Sequence, residues 1–442
     1  MTNQVRNIED LPWSRFHRLL TWRSAGGSFV DGYVLSLIGI ALMPASAALG
    51  FDSFWEGMIA ASALIGIFIG GLFGGWLTNR YGRRAIYYVG PILFTVGSVA
   101  QYWVQDAQTL FLLRLLIGIA VGIEYPVSTS MLVEFLPKKE RGPKLGWFVI
   151  VWFIGAAVAY VVGELILRIG GQDAWRLVLA STTVFSIALL LLRIGTPESA
   201  RWLLSKGRHS EAEQVIKKVY GHEFSLKNLP EEPQSVKVSF WSLVRAGYGR
   251  RMLFVSVFWT CSIVPIFAVY AFAPKVLQAL NIKDDWASIG SVTITALFVV
   301  GCMVATRVIN SLGRRNLLIG SFLLSGLALF GLGIFHEGSP TVILALFGAY
   351  AVFIGGAQVL TMVYPNELFP TEIRAQAMGL GTSISRIGAA AGTYAVPVAL
   401  ADYGIANTMY AAAAITLVGL VASWIMAPET RSLSLQQAGA LD

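Results

Sequence analysis

Long apolar runs alternate with short polar turns along this chain, and that alternation sets the architecture. A helix needs about 20 mostly apolar residues to cross the hydrocarbon of a bilayer. Twelve stretches meet the requirement. The first half holds 24–48, 56–78, 85–104, 109–133, 143–167 and 174–195; the second holds 252–279, 286–309, 316–335, 341–365, 374–400 and 404–427. The pattern predicts an all-α membrane protein of two six-helix halves, with a leading segment at 1–23, a polar linker at 196–251 and a tail at 428–442. In the linker, Ser210-Glu211-Ala212-Glu213 reads as a capping box, followed by Val215, Ile216 and Val219 on one helical face. Residues 197–206 read as another short helix. Leu11–Leu20 mixes Leu11, Phe16, Leu19 and Leu20 with Arg15 and Arg18, which suits a helix resting at the membrane interface.

The ends of the apolar runs repeat. Asn79-Arg80-Tyr81-Gly82-Arg83-Arg84 returns 231 residues later as Asn310-Ser311-Leu312-Gly313-Arg314-Arg315. Glu134-Phe135-Leu136-Pro137, with Arg141 behind it, returns 233 residues later as Glu367-Leu368-Phe369-Pro370 with Arg374. Pro197-Glu198 returns as Pro428-Glu429, again after 231 residues. Two homologous halves follow, and in a membrane protein such halves place a site between them that opens to each side in turn.

Charge refines the picture. Only 13% of the 442 residues are charged and 55% are hydrophobic, where a soluble domain carries about 25% charged. The net charge of +8 does not indicate nucleic acid, because the basic residues crowd into alternate loops, the positive-inside pattern. By that rule both termini and the linker are cytoplasmic. Met1–Arg23 lacks the apolar core of a cleavable signal, so the first span serves as an uncleaved one. Cys261 and Cys302 fall inside apolar runs and offer neither a disulfide framework nor a metal spacing. No Ser/His/Asp or metal cluster suggests an enzyme, and no phosphate-binding Gly-x-x-x-x-Gly-Lys-Ser/Thr loop suggests a primary pump. No cofactor is expected beyond protons as coupling ion.

Several of these motifs resemble the major facilitator superfamily, within its sugar-porter-like branch of metabolite:proton symporters and organic-ion transporters. Gly75–Arg84 is similar to the superfamily's loop 2–3 signature; Arg114 with Gly118 and Gly122 is similar to its fourth-helix motif; Glu134–Gly142 and Pro197–Leu203 are typical of the branch. The resemblance implies twelve helices and alternating access. The family usually has an aspartate, thought to latch the cytoplasmic face, where this chain has Asn79 and, mirrored, Asn310. The resemblance also implies that Asp31 pairs with Arg114 to couple transport to protons.

The cytoplasmic motifs predict a gate built of Asn79, Arg83, Arg84, Glu134, Arg141, Arg314, Glu367 and Arg374. Its ion pairs would form as the halves close and break as they open, each worth about 0–1 kcal/mol. Glycines of the second span, Gly66, Gly70, Gly71, Gly74 and Gly75, read as close contacts that let halves slide.

Ionisable residues within a span cost roughly 2.5–3.5 kcal/mol on insertion scales and so mark cavities or partners. Asp31, Arg114 and Glu124 are the candidates for proton coupling; Glu124 precedes Tyr125-Pro126, where proline frees a backbone carbonyl. Arg386 lies about 12 residues into its span, roughly 18 Å along the axis. Its guanidinium cannot lose its proton and must meet an anion; its span has no acid nearby, which points to an anionic substrate. The stretch Gly379–Gly388 around it also resembles the place where organic anion transporters keep an arginine. Tyr33, Trp152, Trp259 and Gln358 complete a candidate substrate site, and Glu164 with Arg168 forms an i,i+4 pair at the outer end of the fifth span. The leading expectation is a monomeric, inner-membrane, proton-coupled symporter of a small organic acid or related metabolite, whose partners are protons, a small-molecule substrate expected to be a carboxylate, and the lipid bilayer, with no nucleic acid. The alternatives are a neutral sugar or polyol transporter or facilitator, and a proton-driven exporter of organic cations.

Overall fold

The computed structural model describes residues 7–229, 244–279, 284–369 and 371–431. Ten helices among them are long and apolar enough to cross a membrane. The last of these, Ala377–Met426, breaks at Gly404, whose φ of 74° lies in the left-handed region, so it provides the eleventh and twelfth spans. The third span, Arg83–Ala100, completes the twelve; it opens on two arginines and carries Tyr87 and Tyr88, which lowers its hydropathy. The protein is an all-α, multi-pass membrane protein of twelve helices.

Both halves are built alike. The first comprises the first span (Arg15–Leu49), second (Ser53–Tyr81), third, fourth (Ala107–Phe135), fifth (Lys138–Gly170) and sixth (Gln172–Arg193). The second half comprises the seventh (Gly249–Ala279), eighth (Asp284–Leu312), ninth (Arg314–Ile334) and tenth (Pro340–Leu368) spans, then the eleventh and twelfth. At the end away from the arginine-rich face, polar side chains cap the helices: Asp52 accepts from the Trp55 amide at 2.9 Å and Asp106 from that of Thr109 at 2.8 Å.

Small residues bring the second and fourth spans into backbone contact. A Cβ at Gly66 would strike Leu115 and Ile119, one at Gly70 would strike Ile119, and one at Gly122 would strike Ile67 and Gly71. The second half repeats this between the eighth and tenth spans at Gly301 and Gly355. These contacts fasten helices within a half. The expectation that all five second-span glycines let halves slide is therefore corrected: Gly66, Gly70 and Gly74 meet the fourth span, while Gly71 and Gly75 face open space.

The mirrored motifs form mirrored caps. Gly82 and Gly313 take positive φ, 102° and 84°, and start the third and ninth spans. The Glu198 carboxylate accepts from the Arg83 and Arg84 amides at 2.9 and 3.1 Å; Glu429 accepts from the Arg314 and Arg315 amides at 3.0 and 3.1 Å. An anion at a helix start meets unpaired amides and the positive end of the helix dipole. Partial burial opposes ionisation of Glu429, but the amides of Arg314, Arg431, Arg315 and Thr430 outweigh it and hold the carboxyl below the usual glutamate range.

The linker departs from expectation at its edges. One short helix spans Ala200–Ser205, capped by Ser199. The next, His209–Tyr220, starts before Ser210, so Ser210 lies in its first turn and the anticipated capping box does not form; Arg208 instead pairs with Glu211 at 2.7 Å. Ala212 and Ile216 are buried with Ile8, Trp202, Leu203 and Phe224, and Arg201 bonds Glu9 at 2.5 Å. The leading helix begins at Arg15, capped by Ser14, and runs straight into the first span. It does not rest on the interface as a separate helix, because Phe16 packs on Phe135 and His17 on Tyr220.

Replacing Gly122 by Leu should separate the second and fourth spans; overpacking alone costs about 1–3 kcal/mol, and the expected result is a lowered melting temperature and poor monodisperse yield in detergent. Because the Glu429 carboxyl is depressed, its cap contributes fully above the usual glutamate range and is lost as pH falls through its own lowered value. Glu429→Gln should remove that part of the acid dependence in a thermal melt measured across pH.

Candidate functional site

The two halves meet along a central seam. A Cβ at Gly57 would strike the Tyr394 backbone and ring, and Phe54 lies 6.2 Å from the Tyr394 ring, at the end away from the arginine-rich face. Deeper in, Trp152 of the fifth span faces Phe267 of the seventh at 6.1 Å, and Phe153 stacks on Phe298 of the eighth at 5.9 Å. Aromatic contacts of this kind each add about 0.5–1.5 kcal/mol beyond area burial.

Asp31 and Arg386 come together across this seam. Counted from the helix starts at Arg15 and Thr371, they lie at matching depth. Asp31 is 1% exposed and its Oδ1 accepts no hydrogen bond; Arg386 is 8% exposed and its Nε donates none. The ionisable groups near Asp31 are Glu124, Arg193 and Arg386, and those near Arg386 are Asp31 and the Tyr125 phenol. The Arg386 guanidinium sits over the Phe267 ring at 5.2 Å. Neither residue makes an ion pair within bonding distance among the described residues.

Arg114 does not join Asp31. The fourth span enters from the opposite side, so Arg114 lies only seven residues from its start at Ala107. It reaches the first span one turn past Asp31 and donates to the Val34 carbonyl at 3.0 Å. The Asp31–Arg114 pair implied by the resemblance is absent from this conformation.

Glu124 has its own cation. Arg193 of the sixth span grips both carboxylate oxygens, one of them at 3.0 Å, and Ser128 donates to the same group. Arg193 also donates to the Tyr87 carbonyl at 2.5 Å, and its guanidinium lies 3.6 Å from the Tyr87 ring centre. The Tyr87 hydroxyl bonds Ser24 at 2.9 Å. Arg23 completes the node, donating to the Leu192 and Ile194 carbonyls at 2.8 and 2.7 Å. Spans one, three, four and six are thus tied by buried polar groups. Gly27 and Gly90 leave room for the Glu124 carboxylate, which any Cβ there would strike.

The other anticipated contacts divide. Trp152 stands on the seam against Phe267, and Gln358 of the tenth span is buried with its Nε2 unpartnered. Tyr33 turns away, its hydroxyl on Ser181 at 2.7 Å and its ring on Phe185 at 4.5 Å. Trp259 packs beside Gly381, joining the seventh and eleventh spans. Glu164 and Arg168 pair as expected, at 2.7 Å.

Among the described side chains, the gate pairs close within each half. Arg83 binds Asn79 at 2.9 Å and Glu134 at 3.0 Å; Arg314 binds Asn310 and Glu367, each at 3.0 Å. Each arginine reaches its own half's acid because the preceding turn and the fourth- or tenth-span end are neighbours. Arg84 and Arg315 enter through their amides, on Glu198 and Glu429. Among the described residues no ion pair crosses the seam at this face. The Arg141 and Arg374 side chains lie outside the described residues.

Three residues escaped sequence reading. Arg193 sits at the end of the sixth span near the arginine-rich face, where a basic residue is unremarkable. Tyr125 and Phe267 look like any span aromatic. A pairing search for the acid Glu124 was the one signal able to find Arg193.

Comparison with known proteins agrees with this architecture. The family model described as "Sugar (and other) transporter" matches residues 23–441. The putative metabolite transport protein YaaU of Escherichia coli is 39% identical over 98% of this chain and 96% of its own length. The inner membrane metabolite transport protein YgcS of the same organism is 36% identical over 99% and 97%. The solved partially occluded, inward-open xylose transporter XylE of E. coli superposes with a TM-score of 0.82 at 21% identity, covering 95% of this chain and all of that one. A second structure of XylE, described as a proton:xylose symporter of the major facilitator superfamily, gives 0.75 at 22% identity, over 96% and 98%.

Removing one partner of a buried pair leaves an uncompensated charge, at about 3–5 kcal/mol. Glu124→Leu and Arg193→Leu should each destabilise the protein by that order, and the double replacement should recover much of the loss. A double-mutant cycle on melting temperature measures the coupling.

Proposed function

We propose, for a chain that belongs to the sugar (and other) transporter family of the major facilitator superfamily, that it imports a small organic anion together with protons by alternating access. The observation that carries this reading is Arg386, a buried guanidinium with no ion-pair partner in bonding distance, set across the seam from the unpartnered Asp31. An arginine keeps its charge under all working conditions, so the site's charge is set by Asp31 and by cargo.

The coupling follows from electrostatics. With Asp31 ionised, its field compensates Arg386, and an incoming anion meets a nearly neutral site. Once Asp31 takes a proton, Arg386 is left uncompensated in a low-dielectric seam, where Coulomb energies are several times those in water. A substrate carboxylate then supplies the missing negative charge, bound bidentately. Proton and anion enter together and leave together, and each raises the other's affinity by the same factor. Glu124, held by Arg193, serves as part of the scaffold. The aromatic seam of Trp152, Phe267, Phe153 and Phe298 supplies the surface against which the halves rock.

In this reading the termini and linker are cytoplasmic, the membrane is the bacterial inner membrane, and the working unit is a monomer without cofactor. The mirrored clusters around Arg83 and Arg314 keep each half rigid as it moves.

One observation favours a neutral sugar or polyol instead. Gln358, buried in the tenth span, offers an unpartnered amide nitrogen, and the family and XylE carry sugar names. Competition between carboxylates and sugars for uptake decides between the two.

The test is uptake in proteoliposomes with an imposed pH gradient. Asp31→Asn should abolish proton-driven accumulation while retaining exchange down a concentration gradient. Arg386→Gln should weaken carboxylate binding by about 10-fold or more, the worth of a charge-assisted hydrogen bond. Full accumulation by Asp31→Asn rejects the coupling role, and unaltered carboxylate affinity in Arg386→Gln rejects the anion site.

A further inference from the structure

Arg114 is the buried charge that the foregoing reading does not use. It is 1% exposed, donates to the Val34 carbonyl, and leaves its Nε without a partner. A small cavity opens beside it on the seam, lined by Leu35, Ile38, Leu64, Phe267 and Thr393. Thr393 comes from the eleventh span, is 1% exposed, and its hydroxyl has no partner either. A cation from one half and a hydroxyl from the other therefore border one space. Phe267 borders it as well, and carries Arg386 over its ring at 5.2 Å.

A count of charge sharpens the point. Among the described residues, the buried ionisable groups at this depth are Asp31, Glu124, Arg114, Arg193 and Arg386. Arg193 and Glu124 cancel. Arg23 spends its donors on two carbonyls at the arginine-rich end. The count leaves one carboxylate, Asp31, for two guanidiniums, Arg386 beside it and Arg114 on the Val34 carbonyl, and when Asp31 carries a proton neither is compensated. A bound monoanion leaves one positive charge buried. A dianion leaves none.

Resting on the anion reading above, we propose that Arg114 and Thr393 form a second carboxylate subsite beyond Phe267, and that the preferred substrates are small dicarboxylates. One carboxylate meets Arg386 and the other meets Arg114, with the intervening carbons passing the Phe267 edge. Thr393 donates its hydroxyl to the second carboxylate. Arg114 thereby acts as a specificity-determining residue, independent of proton uptake at Asp31.

The experiment is equilibrium binding to the purified full-length protein in lipid nanodiscs, with glutarate and butyrate as probes at an acidic and a neutral pH. The wild type should bind glutarate at least about 10-fold more tightly than butyrate, the factor one charge-assisted hydrogen bond provides. Arg114→Gln should abolish that preference while leaving butyrate affinity within about twofold, since only the second carboxylate is lost. Arg114→Lys, which keeps the charge, should retain part of it. Thr393→Val should reduce it without touching the arginine, and keeps the proposal testable where Arg114→Gln fails to fold. Arg386→Gln should weaken both probes together. Equal affinities in the wild type, or an equal loss of both probes in Arg114→Gln, overturns the second subsite while leaving the site at Arg386 standing. Failure of the wild type to bind either probe overturns the anion reading and this subsite with it.

Discussion

A charge buried in a bilayer must be compensated, and the rest of the structure is arranged around that constraint. Glu124 and Arg193 satisfy it permanently, with both carboxylate oxygens gripped and Ser128, Tyr87 and Ser24 completing the shell. Such a pair contributes little net stability over apolar packing, but breaking it is costly. It holds four helices of the first half in one arrangement. Asp31 and Arg386 satisfy the constraint only loosely and across the seam. The fixed pair belongs to one rigid body, and the loose pair lies between two.

The duplication did not copy this chemistry. Under the shifts that carry Asn79 to Asn310 and Glu134 to Glu367, Arg193 maps onto Trp424, Tyr87 onto Leu318 and Glu124 onto Ala357. The second half packs its counterpart region with apolar groups and with Phe254, Phe258 and Tyr364, whose rings lie 5.0–5.8 Å apart. The halves share a backbone plan and differ in what fills it. One half carries most of the buried charge; the other contributes Arg386, Gln358 and Thr393 from its tenth and eleventh spans.

The fold was largely legible in the sequence because span length and loop charge are properties of single segments. Twelve apolar runs and three repeated signatures were enough. The site was legible only in part. Asp31, Glu124 and Arg386 stood out because a charge within a span is rare. Their partners did not, because pairing depends on where two helices cross. Arg114 and Asp31 occupy different depths, as the span edges already hinted, and Arg114 meets Val34 instead. Tyr33 turned away because Ser181 and Phe185 offered its hydroxyl and ring better company than the seam. The gate motifs mark residues at one face, but a linear motif does not say which half its partner belongs to.

The caps on the third and ninth helices lead one step further. Glu198 directly follows the sixth span and Glu429 the twelfth, so each half carries its own fastening residue on its own last strand of chain. Neither half borrows a cap from the other. The connecting segment after Glu198 can therefore be severed without unseating either bundle, and the molecule is suited to assembly from two separately made polypeptides. Shortening the far end past Pro428, by contrast, strips one bundle of its fastening while leaving its twin intact.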